Sequence, residues 1–181
     1  YRSDNYRVLP KSSSDKDLFE WGLKSFLDEA RTLVRFNDCD NIVKVYRYFE
    51  ANGTAYFVME YIEGDTFSEL LKKSSFKPSE IENIFSGVLN GLKRIHQSEV
   101  LHKDIKPSNI MIKGEIPVLI DFGSARKNTP GKEHTKIITE RYSPIEQYNE
   151  NQDFGEWTDI YSLSATFYRA IVGQAPPEAT S

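Results

Sequence analysis

The stretch His102-Lys103-Asp104-Ile105-Lys106-Pro107-Ser108-Asn109 decides how this chain is read. It places a carboxylate at Asp104, an ammonium at Lys106 and a carboxamide at Asn109, with Pro107 fixing the backbone just before the last two residues. Two short apolar runs follow, Ile110–Ile112 and Pro117–Ile120, around Lys113-Gly114-Glu115. A second acidic tripeptide, Asp121-Phe122-Gly123, comes next. A hairpin of the two runs brings Asn109 and Asp121 to the same end. These groups suit the holding of a nucleotide phosphate with Mg²⁺ opposite a hydroxyl to be phosphorylated. Phosphoryl transfer asks the protein for in-line positioning, a carboxylate near the attacking hydroxyl and hard oxygen ligands for the metal. On this reading Asp104 orients the hydroxyl and accepts its proton. Asn109 and Asp121 supply the metal oxygens, and Lys106 offsets charge on the moving group.

Working outward, the bulk properties set limits. The chain has 181 residues, a formal charge of −4, 39% hydrophobic and 28% charged residues. That suffices for one domain with a real core. The acidic balance argues against nucleic acid as a partner. No apolar run approaches the roughly 20 residues of a membrane span, and no signal peptide stands at Tyr1. The one cysteine, Cys39, excludes an internal disulfide and fits a reducing, cytoplasmic setting. There is no internal repeat, low-complexity tract or His/Cys metal cluster.

Upstream, Phe19, Leu23, Phe26, Leu27, Ala30, Leu33 and Val34 recur at helical spacing and predict a helix over 16–36, with Glu29 beside its apolar face. Taken alone, Glu29 reads as a solvated helix carboxylate. Residues 42–49 and 54–59 are rich in β-branched and aromatic residues, and Asn52-Gly53 between them signals an antiparallel hairpin. A short helix is expected over 67–73. A longer one opens at Pro78, with Ser79 and Glu82 in capping-box spacing and a buried stripe of Ile81, Ile84, Phe85, Val88, Leu89, Leu92 and Ile95. His96, in its last turn, reads as structural.

Downstream, residues 121–146 are polar, with a turn at Thr129-Pro130-Gly131. A further helix starts near Trp157-Thr158-Asp159, carries Ile160, Leu163, Phe167, Tyr168 and Ile171 as its apolar residues, and ends at Gly173.

The ordered set Asp104, Asn109, Asp121-Phe122-Gly123, with Glu29 upstream and Pro144-Ile145-Glu146 and Asp159 downstream, resembles the protein-kinase family. Lys106 points to its serine/threonine branch, and the bacterial eukaryotic-like members are the most similar. The resemblance implies an α+β, bilobal fold: a small antiparallel-sheet lobe with helix C, and a mainly helical large lobe. Residues 1–60 would form part of the first and 61–181 part of the second, incomplete at both ends. No Gly-rich phosphate loop or phosphate-binding lysine strand is found in the sequence, so these residues alone are expected to be inactive. The resemblance implies MgATP as donor and a protein Ser/Thr hydroxyl as acceptor. Asp104, Lys106 and Asn109 are then the catalytic group. Glu29 would pair with the lysine that grips the phosphates. Met59 would be the gatekeeper of the adenine pocket, Glu60 to Ile62 its hinge and Met111 its floor. Asn109 and Asp121 would ligate Mg²⁺. His102, Phe122, Leu33 and Val45 resemble a packed spine, and Asp159 would bond the backbone of the catalytic loop. Thr135 and Thr139 are candidate sites of autophosphorylation, and Thr139 resembles the threonine that packs by the catalytic Asp and Lys. Lys103 stands where many kinases have Arg, and a point charge cannot contact a phosphate bidentately. That puts control by phosphorylation of the 121–146 segment in question. The alternatives are a pseudokinase or scaffold that uses the same fold for binding, or a small-molecule kinase.

Overall fold

The structure is a computed structural model that describes residues 7–10, 12–123, 126–127, 138–149 and 152–180. Thr135, His134 and the 129–131 turn lie outside the described residues. The chain forms two compact units, Tyr1–Asp38 with Val43–Tyr61, and Cys39–Ile42 with Ile62–Ser181.

In the first unit, helix α1 (Lys16–Val34) buries Leu27, Ala30 and Leu33, one face at 3–4 residue spacing. It packs on a hairpin of β1 (Val45–Ala51) and β2 (Thr54–Met59), where Phe26 meets Phe57 with ring centroids 4.7 Å apart. Asn52 (φ 53°) and Gly53 (φ 69°) both adopt the left-handed conformation that a tight two-residue hairpin turn demands. The Asn37 carboxamide fixes the path from α1 into β1 by bonding both the N–H (2.9 Å) and the C=O (2.8 Å) of Val45.

In the second unit, α2 (Phe67–Lys73) opens with a capping box in which the Thr66 hydroxyl accepts from Glu69 N and the Glu69 carboxylate accepts from Thr66 N. α3 (Pro78–His96) buries Ile84, Val88, Leu92 and Ile95. The expected Ser79–Glu82 cap is not formed. The helix opens at Pro78 as expected, so Ser79 already lies inside its first turn; Lys77 is the N-cap, and the Glu80 carboxylate accepts from Lys77 N at 2.6 Å. Two-residue strand β3 (Val100–Leu101) leads into the His102–Asn109 loop. β4 (Ile110–Lys113) and β5 (Ile116–Leu119) form an antiparallel hairpin with Ile110 opposite Leu119. Asn41 and Ile42 join the other edge of β5: Leu119 N donates to Asn41 O, and the Asn41 carboxamide donates to Pro117 O. α3 lies close over this hairpin, since a Cβ on Gly87 would run into Pro117. β6 (Arg126–Lys127) pairs antiparallel with β3, and α4 (Ile145–Tyr148) is a single turn.

α5 (Glu156–Val172) ends at Gly173, whose φ of 80° makes the left-handed cap favoured by glycine. Its inward face departs from expectation. Leu163 and Phe167 are buried as read, but Ile160, Tyr168 and Ile171 are 42%, 44% and 70% exposed. The side chains facing inward with them are Thr158, Asp159, Ser162 and Thr166. Two of these satisfy themselves within the helix, Ser162 donating to Thr158 O and Thr166 to Ser162 O, while Thr158 donates to Glu146 on α4. Among the described residues, no helix is long and apolar enough to cross a membrane.

Candidate active site

The loop of residues 102–109 is almost wholly buried although it is polar. His102, Lys103, Asp104 and Asn109 are all below one-tenth exposed. Such a loop persists only if its polar groups are bonded. Asp159 supplies much of this. Its fully buried carboxylate accepts from Lys103 N at 2.7 Å, from His102 N at 2.9 Å, and bonds His96 Nε2 at 2.8 Å. The backbone-bonding role expected of Asp159 is thus seen directly, while the part played by His96 is not apparent from a single histidine at a helix end.

His102 orders the loop from inside. Asp104 N donates to its Nδ1 (3.3 Å), and its Nε2 lies 3.3 Å from Ile120 O. Burial pushes its pKa below the ordinary 6.5, against the pull of the Asp159 and Asp104 carboxylates. A neutral ring that accepts at Nδ1 and donates at Nε2 satisfies both contacts. Its centroid is 4.5 Å from that of Phe122, so the loop and the Asp121-Phe122-Gly123 triplet pack on each other. Leu33 and Val45, the other members of the expected spine, are buried in the first unit.

Asp104 is the meeting point. Its Oδ1 accepts from the Thr139 hydroxyl at 2.6 Å. Its Oδ2 accepts from Lys106 Nζ at 2.7 Å and from Asn109 Nδ2 at 2.9 Å. Lys106 Nζ also reaches Thr139 Oγ1 at 3.1 Å, closing a three-membered ring of contacts. The Asn109 amide donates a second bond to Asp104 O at 2.9 Å, so the amide's two donors are both committed to Asp104. Among the described residues, the Asn109 Oδ1 has only a long 3.5 Å contact from Ser108 Oγ.

Asp121 sits at the end of the β4–β5 ladder. Ile120 N donates to Asn109 O at 2.9 Å, which ties the residue before Asp121 to the residue that ends the loop. Asp121 is exposed, with a left-handed φ of 60° and one carboxylate oxygen 3.3 Å from Gly123 N. Lys103, at φ 65°, is the other left-handed residue here. Such conformations cost on the order of 1–3 kcal/mol each and persist where their surroundings over-determine them. The Lys103 ammonium stands 4.3 Å from the centre of the Phe154 ring.

The remaining expected residues are distributed as follows. Ile62 is buried and Met111 half-buried in the second unit, Met111 bridging to Thr66. Glu29 lies half-buried on α1 and Met59 is 38% exposed at the end of β2, both in the first unit. Glu60, also there, donates its N–H to Lys44 O at 2.8 Å. Glu146 is bonded by the Thr158 hydroxyl at 2.9 Å.

A metal would find hard oxygens at Asn109 and Asp121. No cluster of three or more His, Cys, Asp or Glu suited to a metal occurs among the described residues. Two oxygen side chains with phosphate and water completing the shell are what Mg²⁺ ordinarily takes, so the donor set fits.

The family model "Protein kinase domain" matches residues 2–181. Serine/threonine-protein kinase PknA of Nostoc sp. is 34% identical over 148 residues, covering 76% of this chain and 26% of that protein. Serine/threonine-protein kinase D of Synechocystis sp. is 32% identical over 186 residues, covering 97% of this chain and 36% of that protein. The chain therefore spans about a quarter to a third of the length of these relatives. A solved structure described as "PpkA-294 apo form" superposes with a TM-score of 0.81 at 32% identity, over 99% of this chain and 64% of that one. With motif order, fold and comparisons in agreement, the chain belongs to the protein kinase family, among relatives that include bacterial serine/threonine-protein kinases.

Proposed function

We propose that the protein carrying this chain transfers a phosphoryl group from ATP to Ser/Thr hydroxyls of proteins in the cytoplasm. The observation that carries the reading is the buried Asp104 carboxylate, bonded at once by Lys106 and Asn109. Asp104 accepts the proton of an incoming hydroxyl and holds its oxygen in line. Lys106, 2.7 Å from Asp104, carries positive charge to the same point, where it offsets charge on the moving phosphoryl group. Asn109 and Asp121 would hold Mg²⁺, which when bound would neutralise phosphate charge. Met59, Glu60, Ile62 and Met111 are the proposed adenine contacts, and Glu29 the proposed partner of a phosphate-binding lysine. Thr139 already donates to Asp104, so as an autophosphorylation site it would first have to leave that bond.

The test uses the full-length protein with MgATP and dephosphorylated casein as acceptor. Asp104→Asn should lower the transfer rate by on the order of a hundredfold or more, with ATP affinity nearly intact. Asp121→Ala should abolish the Mg²⁺-dependent part of ATP binding. Transfer at the parent rate by Asp104→Asn would remove Asp104 from the chemistry.

A further inference from the structure

We infer that Gln147 is a positioning residue for phosphoryl transfer: its side-chain amide holds the peptide bond immediately before Asp104. This rests on the role proposed above for Asp104. Gln147 lies on α4, with 6% of its surface exposed. Its Nε2 donates to Lys103 O at 2.8 Å. That carbonyl belongs to the Lys103–Asp104 peptide, so the bond acts one atom from the Asp104 nitrogen. On the other side of Lys103, the N–H is held by Asp159 Oδ1 at 2.7 Å. The left-handed Lys103 residue is therefore gripped at both of its peptides, by two side chains from different elements.

The rest of the Gln147 side chain shows what the residue is there for. Its Oε1 is buried and has no hydrogen-bond partner among the described residues. A buried amide with one orphan oxygen is a poor way to fill space, since Met has nearly the same shape and no orphan. What glutamine adds over methionine is the one N–H donated to Lys103 O. Without it, that carbonyl loses this partner, and the Lys103–Asp104 peptide keeps only the longer 3.3 Å bond from Asp104 N to His102 Nδ1. Gln147 also lies in the same stretch as Thr139, which bonds the Asp104 carboxylate itself. Residues 138–149 thus reach Asp104 twice, through its carboxylate and through its preceding peptide.

Two substitutions in the full-length protein test this with MgATP and dephosphorylated casein. Gln147→Met keeps the volume and removes the donor; Gln147→Glu keeps the shape and sets an acceptor against the Lys103 carbonyl. Misaiming Asp104 should lower kcat by about tenfold in Gln147→Met, and further in Gln147→Glu, with KM for ATP within twofold of the parent and a cooperative melt retained. Asp104→Asn is measured in parallel. If Asp104→Asn is inactive but both Gln147 variants keep kcat within twofold, the inference falls and the reading of Asp104 stands. If Asp104→Asn works at the parent rate, the role of Asp104 fails first, and this inference with it. A fall in ATP affinity equal to the fall in rate, or loss of the cooperative melt in both variants, would also overturn it, because Gln147 would then act on nucleotide binding or on packing.

Discussion

α3 and α5 pack against each other, yet α3 buries a mainly apolar face and α5 a mixed one. α3 turns Ile84, Val88, Leu92 and Ile95 inward. α5 turns Thr158, Asp159, Ser162 and Thr166 inward along with Leu163 and Phe167, and leaves Ile160, Tyr168 and Ile171 outside. They touch through both chemistries. Phe85 of α3 meets Phe167 of α5 edge-on, with ring centroids 4.5 Å apart, and His96 of α3 bonds Asp159 of α5. The difference shows two physical roles. α3 removes apolar surface from water, worth about 25 cal/mol per Å² wherever the neighbour is apolar. α5 faces the backbone of the 102–104 turn, whose N–H groups need acceptors, and only a polar side chain can supply them. Both helices contribute to stability, but only α5 bonds the loop backbone directly, through Asp159, and substitutions should separate the two contributions.

The largest effect is expected at the polar face. Asp159→Ala removes the acceptor of the His102 and Lys103 N–H groups and the partner of His96. Orphaning buried donors costs about 1–3 kcal/mol each, so the chemical-denaturation midpoint should drop sharply. The transfer rate of the fraction still folded should fall by about a hundredfold, because the loop that aims Asp104 is released. If the rate per folded molecule is unchanged, Asp159 is no more than a structural group and the contrast between the helices collapses.

At the apolar face the pattern should invert. Leu92 is 1% exposed, and Leu92→Ala should cost about 2–5 kcal/mol through lost contacts and an unfilled cavity. The folded fraction should keep its kcat within twofold, since Leu92 makes no bond to the loop. Denaturant unfolding and steady-state kinetics on the same sample decide this. A large kcat change would mean that α3 also positions the loop.

The same contrast explains what is legible in the sequence. The apolar period of α1 and α3, the Asn52-Gly53 turn and the spacing of Asp104, Lys106 and Asn109 are local patterns, and local physics produces them. α5 misleads a periodicity reading because such a reading puts the apolar side inward, and here part of the inside is polar backbone. Gln147 and His96 leave no local signal at all. Gln147 is one polar residue in a polar stretch, and its contact with Lys103 spans 44 positions; His96 meets Asp159 across 63. The cap of α3 departs from expectation for a smaller reason: Ser79 and Glu82 have the right spacing, but the helix has already begun at Pro78.

The outer face of α5 offers the smallest expected effect and the finest test. Ile171 is 70% exposed, so Ile171→Ser removes little buried surface. The unfolding free energy of the 181-residue chain should move by no more than about 0.5 kcal/mol, as for an ordinary surface position. Unfolding at two protein concentrations sharpens the result. A loss of about 2 kcal/mol or more, well outside the surface range, that grows with protein concentration would mean that a second copy covers this face. The same loss independent of concentration would mean that the chain covers it itself. In either case the exposed side of α5 would count as buried apolar surface, and α5 would differ from α3 chiefly in Asp159, the polar side chain that holds the loop.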